Sequence, residues 1–184
     1  SSVMLEMVKA MGRLGTESAF EVLARADELT SQGKDIINLG IGQPDFKTPE
    51  HIVEAAVKAL RDGEHGYTPA NGIPKCREAV AAYIYESRGV NVDPGQVIIV
   101  PGGKVTMFFA ILMFGGSGTE IIYPNPGFPI YESVIKFSGA KAVPMSLHET
   151  NSFSFSADEV LGLINENTRL LIINSPANPT GGYV

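Results

Sequence analysis

The sequence predicts an α/β fold, a three-layer α/β/α sandwich on a mostly parallel sheet, preceded by an N-terminal helical segment. Three observations carry that prediction. From Val97 onward short apolar runs alternate with longer helical patterns, the order that strand–helix–strand crossovers produce. The run Val97-Ile98-Ile99-Val100 is apolar at every position, as expected of a strand covered on both faces. No internal repeat or low-complexity tract interrupts the 184 residues, a length sufficient for one sizeable core.

The elements follow in order. Ser18 to Gly33 reads as a helix: Ser18 and Glu21 have capping-box spacing, Phe20, Leu23, Ala24 and Leu29 form an apolar side, and Gly33 stops it. Ile36 to Leu39 reads as a short strand entering a Gly/Pro-rich loop. Thr48-Pro49 opens a second helix, with proline at the first helical position, Ile52, Ala55, Ala56, Ala59 and Leu60 inside, and Gly63 at its end. Pro74 to Arg88 is a third, with Cys76, Val80, Tyr83 and Ile84 on one side and Gly89 as terminator. After the Val97–Val100 strand come a helix that is apolar nearly all round (Val105 to Phe114), a strand at Glu120–Tyr123 and a helix from Phe128 to Phe137. A strand at Ala142–Met145, a helix opened by Ser156 and Glu159 at capping-box spacing, and a strand at Arg169–Asn174 complete the series.

Composition narrows the function classes. The formal charge is −6 and the basic residues are scattered, which argues against a nucleic-acid surface, where clustered Lys and Arg must neutralise phosphates. Cys76 is the single cysteine, so neither an intramolecular disulfide nor a thiolate cluster is expected, and its apolar neighbours suggest a small core residue. His51, His65 and His148 have no metal-site or triad spacing. No signal sequence opens the chain, and the apolar run Val105–Phe114 is too short to span a bilayer. The expectation is a soluble cytoplasmic protein with neither membrane nor nucleic acid as partner.

Four loops carry chemistry. "VIIVPGGKVTMFF" is strand, glycine turn, helix, a form in which backbone N–H groups and the helix dipole favour an anion; it is neither G-x-G-x-x-G nor a Walker loop. "YPNPGFPIY" follows the Glu120–Tyr123 strand and presents Phe128 at the end of the sheet where ligands gather. Phe128 either stacks on a flat heterocycle or caps the core. "NSPANPTG" follows the last strand, and Pro179 restricts Asn178 so that its amide points in a defined direction. An uncharged N–H donor suits a phenolate oxygen; the alternative is a plain turn. Finally, "LGIGQPDF" exposes Gly42 backbone that can receive a carboxylate, and "GYTPANG" places Tyr67 where a phenol can donate to phosphate; each is also readable as a structural turn.

Together these pieces resemble the fold-type I pyridoxal-phosphate enzymes, specifically the class I/II aminotransferases of the aspartate aminotransferase family. The matching motifs run in family order: Gly42-Gln43-Pro44-Asp45 with Phe46, Tyr67-Thr68-Pro69-Ala70 with Gly72, Gly102-Gly103-Lys104, Pro126-Gly127-Phe128, and Asn178-Pro179-Thr180-Gly181. The resemblance covers the chain from about Ser18 onward. It implies that the backbone of Gly102, Gly103 and Lys104 holds the phosphate of pyridoxal 5'-phosphate, that Phe128 stacks on its ring, and that Asn178 donates to its phenolic oxygen. It further implies that Tyr67 reaches the phosphate held by a neighbouring subunit, hence a homodimer with shared active sites, and that Gly42 lies near the substrate carboxylate. Residues 1–48 would be an arm and small-domain segment, and residues 49–184 the first part of the cofactor-binding large domain of a PLP-dependent transferase.

The same resemblance implies what the chain lacks. Family members carry an aspartate at the pyridine nitrogen, a Schiff-base lysine, a phosphate-contacting arginine and an arginine for the substrate α-carboxylate, all of which would lie after Val184. No catalytic residue is therefore assigned within the chain, which is expected to be an N-terminal portion and inactive alone. The expected reaction is amino-group transfer between an amino acid and a 2-oxo acid, the donor being unassigned. Two alternatives stand: another fold-type I enzyme (a lyase, decarboxylase or synthase), or a catalytically inactive ligand-binding module. The family sheet also places later strands between Val97–Val100 and Arg169–Asn174, so a gap and exposed apolar surface are expected there.

Overall fold

The computed structural model describes residues 5–15 and 18–184. Its elements are α1 (Ser18–Ser31), α2 (Glu50–Arg61), α3 (Pro74–Arg88), α4 (Gly103–Phe114), β1 (Glu120–Asn125), α5 (Ile130–Ser138), β2 (Lys141–Ser146), α6 (Ala157–Leu163) and β3 (Thr168–Leu171). Short 3-10 turns lie at Lys9–Arg13, Pro94–Gln96 and Glu149–Asn151.

The sheet is parallel with strand order β2-β1-β3. Alternation along β1 sorts its side chains between two cores. Ile121 and Tyr123 pack with Ile111 of α4 and with Tyr131, Val134 and Ile135 of α5. Ile122, between them in sequence, packs on the opposite face with Val143 and Met145 of β2 and Val160 of α6. The result is three layers, α4 and α5 on one side of the sheet and α6 on the other, as the apolar runs predict. At α6 the Ser156 hydroxyl accepts from the Glu159 N–H at 3.5 Å, a lengthened form of the expected cap.

Two expected strands are absent. Val97–Val100 and Ile36–Leu39 are extended but lie in no sheet. A strand exists only where another lies alongside to complete its ladder. The Ile99 N–H instead bonds to Asn71 O of the preceding loop at 3.1 Å. Ile98 and Ile37 remain 62% and 85% exposed, so the apolar pattern that suggested burial is unsatisfied there. The outer edge of β3 likewise has no partner strand among the described residues, and Ile173 beyond it is 52% exposed. The apolar helix α4 buries Ile111 but exposes Phe109, Met113 and Phe114.

Smaller departures have local causes. Ser18 is already helical, so it is not the cap of α1; the residue before it lies outside the described residues. Pro49 is the cap of α2, one position before the first turn. In α3, Ala81 is the buried residue, while Cys76 is half-buried and Tyr83 exposed. The expectation of Cys76 as a core residue therefore holds only in part, because α3 packs against the small Pro94–Gln96 turn. Arg77 fastens that contact, donating to Gly72 O and Pro94 O at 3.1 Å each.

The N-terminal segment is docked on the sheet layer. Arg13 donates from Nε to Lys136 O (2.9 Å) and from Nη2 to Phe137 O (2.8 Å). These are carbonyls of the last turn of α5, where a cation also meets the favourable end of the helix dipole. The Gly15 N–H donates to Ser133 Oγ at 2.8 Å.

Candidate functional site

Three chemistry-bearing loops leave the C-terminal side of the parallel strands or the start of the helix beside them. β1 runs out through Asn125 into Pro126-Gly127-Phe128. β3 is paired directly with β1, the Ile172 N–H extending that pairing to Ile122 O at 2.9 Å, and it leads to Asn174 and Asn178. Neighbouring parallel strands deliver both loops to one edge, the usual position of ligands in such sheets.

The glycine turn and Phe128 meet. The Lys104 ammonium lies 5.7 Å from the Phe128 ring centroid, within cation–π reach. Gly102 is the cap of α4, with φ +80 and no side chain of its own to cap the helix. A β-carbon built at Gly102 would meet nothing within 4 Å. Main-chain N–H groups and the positive end of the helix dipole lie at this start of α4. Phe128 is half-buried and packs edge-on against Tyr131 at 6.1 Å, as its core-capping reading expects, and its ring also borders Lys104. The Tyr131 hydroxyl is pushed above its ordinary pKa by burial, so that support stays neutral.

Asn178 is exposed, and its side-chain amide makes no hydrogen bond among the described residues. Its own N–H donates to Asn174 Oδ1 at 2.7 Å. Ala177, just before it, is buried in the core on the α6 face, whereas Phe128 packs on the α4/α5 face. Asn178 thus follows a residue of the α6 face, and no hydrogen bond joins it to Phe128 among the described residues. Tyr67 is fully exposed and Gly42 is exposed; no hydrogen bond or ring contact joins either to the turn, to Phe128 or to Asn178 among the described residues.

Two participants were not foreseen. Phe20 of α1 lies 5.6 Å from Lys104 Nζ, so the ammonium sits near two rings, one of them from a distant segment. Phe20 read only as part of an amphipathic stripe, and no local signal distinguishes it. Asn174 was read as the end of a strand; its four-residue spacing from Asn178 was the available clue. Among the described residues no group of three or more His, Cys, Asp and Glu is placed to hold a metal ion, and no helix is long and apolar enough to cross a membrane.

Residues 34–184 match the family model described as "Aminotransferase class I and II". The chain belongs to that family. Class I and II aminotransferases depend on pyridoxal phosphate. An aspartate aminotransferase of Pyrococcus horikoshii is 42% identical over 154 residues, which is 84% of this chain and 39% of the relative. A probable aspartate/prephenate aminotransferase of Aquifex aeolicus is 34% identical over 175 residues, 95% of this chain and 44% of the relative. Among solved structures, the aspartate aminotransferase of Thermus thermophilus with maleate superposes with a TM-score of 0.89 at 34% identity, covering 96% of this chain and 46% of that one. The chain thus spans less than half the length of the aminotransferases it matches.

Proposed function

We propose that this chain is the N-terminal portion of a PLP-dependent aminotransferase that transfers an amino group between an amino acid and a 2-oxo acid. The observation that carries the reading is the approach, at the C-terminal edge of a parallel sheet, of Lys104 in the first turn of the glycine-capped helix α4 to a half-buried aromatic ring. The residues fit the cofactor. An anion cradle, a ring platform and an unengaged amide donor are the three features a phosphorylated hydroxypyridine asks for. When bound, pyridoxal phosphate supplies an electron-withdrawing ring that stabilises negative charge at the substrate's α-carbon.

The protein's part is binding and orientation. The backbone of Gly102, Gly103 and Lys104 would hold the phosphate at the start of α4, and Phe128 would cover one face of the ring. The Asn178 amide would donate to the phenolic oxygen, favouring its deprotonated form without placing a full positive charge beside it. Tyr67, exposed on its loop, is suited to reach the phosphate held by a partner subunit in a homodimer, and Gly42 to receive the substrate carboxylate. Residues 1–48 would serve as arm and small-domain segment, and 49–184 as the first part of the large domain. The lysine that reacts with the cofactor would lie beyond Val184, in keeping with the share of its relatives that the chain spans. A cytoplasmic location goes with this role.

The test uses the full-length protein with added pyridoxal phosphate. Nitrogen-15 is followed by mass spectrometry from labelled aspartate, the donor named in the relatives, and then from a panel of amino acids, into a 2-oxo acid. Label transfer, lost together with cofactor affinity in Phe128→Ala, is the expected result. A protein that binds the cofactor but yields a cleaved or decarboxylated product refutes the reaction, and one that leaves the cofactor spectrum unchanged refutes the site.

A further inference from the structure

We infer that Asn174 is a positioning residue that sets the direction of Asn178, an inference that rests on the reading of Asn178 as the donor to the cofactor's phenolic oxygen. Asn178 is held on both sides. Its N–H donates to Asn174 Oδ1 at 2.7 Å, and on its other side Pro179 has a fixed φ and no N–H of its own. The Asn178 side chain is exposed and makes no hydrogen bond among the described residues. The peptide plane before Asn178 is held twice, its N–H by Asn174 Oδ1 and its Ala177 carbonyl by the Gly181 N–H at 2.7 Å, so removing the Asn174 oxygen loosens that plane on its N–H side.

The surrounding loop is closed by bonds that do not involve Asn178. The Ala177 N–H donates to Gly182 O and the Gly181 N–H to Ala177 O, each at 2.7 Å. The Val184 N–H donates to Ser175 Oγ at 3.1 Å. Gly182 lies so close to the neighbouring turn that a β-carbon there would meet Ser152 O at 2.6 Å. These contacts shape the loop as a whole, whereas among the described residues Asn174 alone hydrogen-bonds to the residue that presents the amide. Its side chain is half-buried and stands just beyond β3, so it is anchored to the sheet and not to the loop it restrains. A donor must be aimed within a narrow cone to stabilise an anion, and such aim comes from supporting hydrogen bonds.

The experiment compares Asn174→Ala, Asn174→Asp, Ser175→Ala and Asn178→Ala in the full-length protein. Readouts are the dissociation constant for pyridoxal phosphate, the pH at which the bound cofactor's visible spectrum changes, and hydrogen exchange at the Asn178 amide. Loss of a donor to the phenolic oxygen disfavours its deprotonated form, so N178A moves the spectral transition to higher pH. N174A is expected to move it in the same direction by a smaller amount, and to weaken cofactor binding about fivefold, the worth of one hydrogen bond. S175A, which loosens the loop elsewhere, leaves the transition in place. N174D keeps an acceptor oxygen and so keeps the Asn178 amide protected from exchange, whereas N174A loses that protection. A shifted transition in N178A beside an unshifted one in N174A overturns the role of Asn174 alone, as does equal exchange protection in N174A and N174D. An S175A shift equal to that of N174A also overturns it, since loop integrity would then suffice. A wild-type transition in N178A overturns the reading of Asn178 and this inference with it.

Discussion

Gly127→Ala tests whether the loop that presents Phe128 is set by backbone packing. A β-carbon at Gly127 would lie 2.2 Å from Pro124 O and 3.2 Å from Pro124 C. Both are main-chain atoms of β1, in a strand whose Ile121, Ile122 and Tyr123 are buried between two helical layers, so the strand cannot give way as a side-chain tip would. Restoring ordinary contact requires the loop to move by roughly 1 Å, because close-packed interiors transmit such an overlap instead of absorbing it. Overpacking of this kind costs about 1–3 kcal/mol, to be read as a loss of unfolding free energy in urea. The displaced segment carries Phe128, whose ring would shift against Lys104 and the start of α4. Misplacement by about 1 Å of a positioning group costs on the order of a hundredfold in rate. The expected outcome in the full-length protein is therefore a destabilised enzyme with weaker pyridoxal phosphate binding and a lower kcat/KM. A G127A protein with wild-type stability and wild-type cofactor affinity would refute the packing argument, and with it the claim that β1 dictates where Phe128 stands.

Arg13→Ala removes two hydrogen bonds to the last carbonyls of α5; a loss of about 1–2 kcal/mol is expected, with faster hydrogen exchange confined to α5 and residues 9–15. Arg13→Lys should recover only part of it, since an ammonium does not reproduce the two-pronged guanidinium contact. Gly72→Ala places a β-carbon 2.6 Å from Ile99 Cγ1 at a φ of +99, combining overlap with left-handed strain; about 1–3 kcal/mol of destabilisation is expected, visible as faster exchange of the Ile99 N–H that bonds to Asn71 O. The Tyr123 hydroxyl is raised above its ordinary pKa of 10.0 by burial and then by the Glu132 charge, partly opposed by Lys136. A tyrosine whose folded pKa is raised contributes stability that is present below pH 10 and lost as pH rises through the folded value. Wild-type stability should therefore fall above about pH 10, and Tyr123→Phe should flatten that alkaline limb in a pH series of denaturant titrations; an unchanged limb would refute the assignment.

The motifs were legible in the sequence because each is local chemistry. A glycine pair ahead of an apolar helix, a proline-flanked Phe128 and a proline-restrained Asn178 state their backbone geometry within a few residues, so fold class, family and candidate residues followed from their order. Helices α3 and α4 and the paired strands were legible for the same reason, since period and terminators lie within each segment. Sheet membership was not. Val97–Val100 and Ile36–Leu39 have the composition of strands, yet a ladder belongs to two segments at once, and no strand pairs with either among the described residues. The contacts that unite the site were equally out of reach. Phe20 beside Lys104 and Arg13 on the end of α5 pair groups whose meeting depends on how separate elements pack. Local propensity is written residue by residue along the chain, whereas which side chains become neighbours is decided only when the layers close on one another.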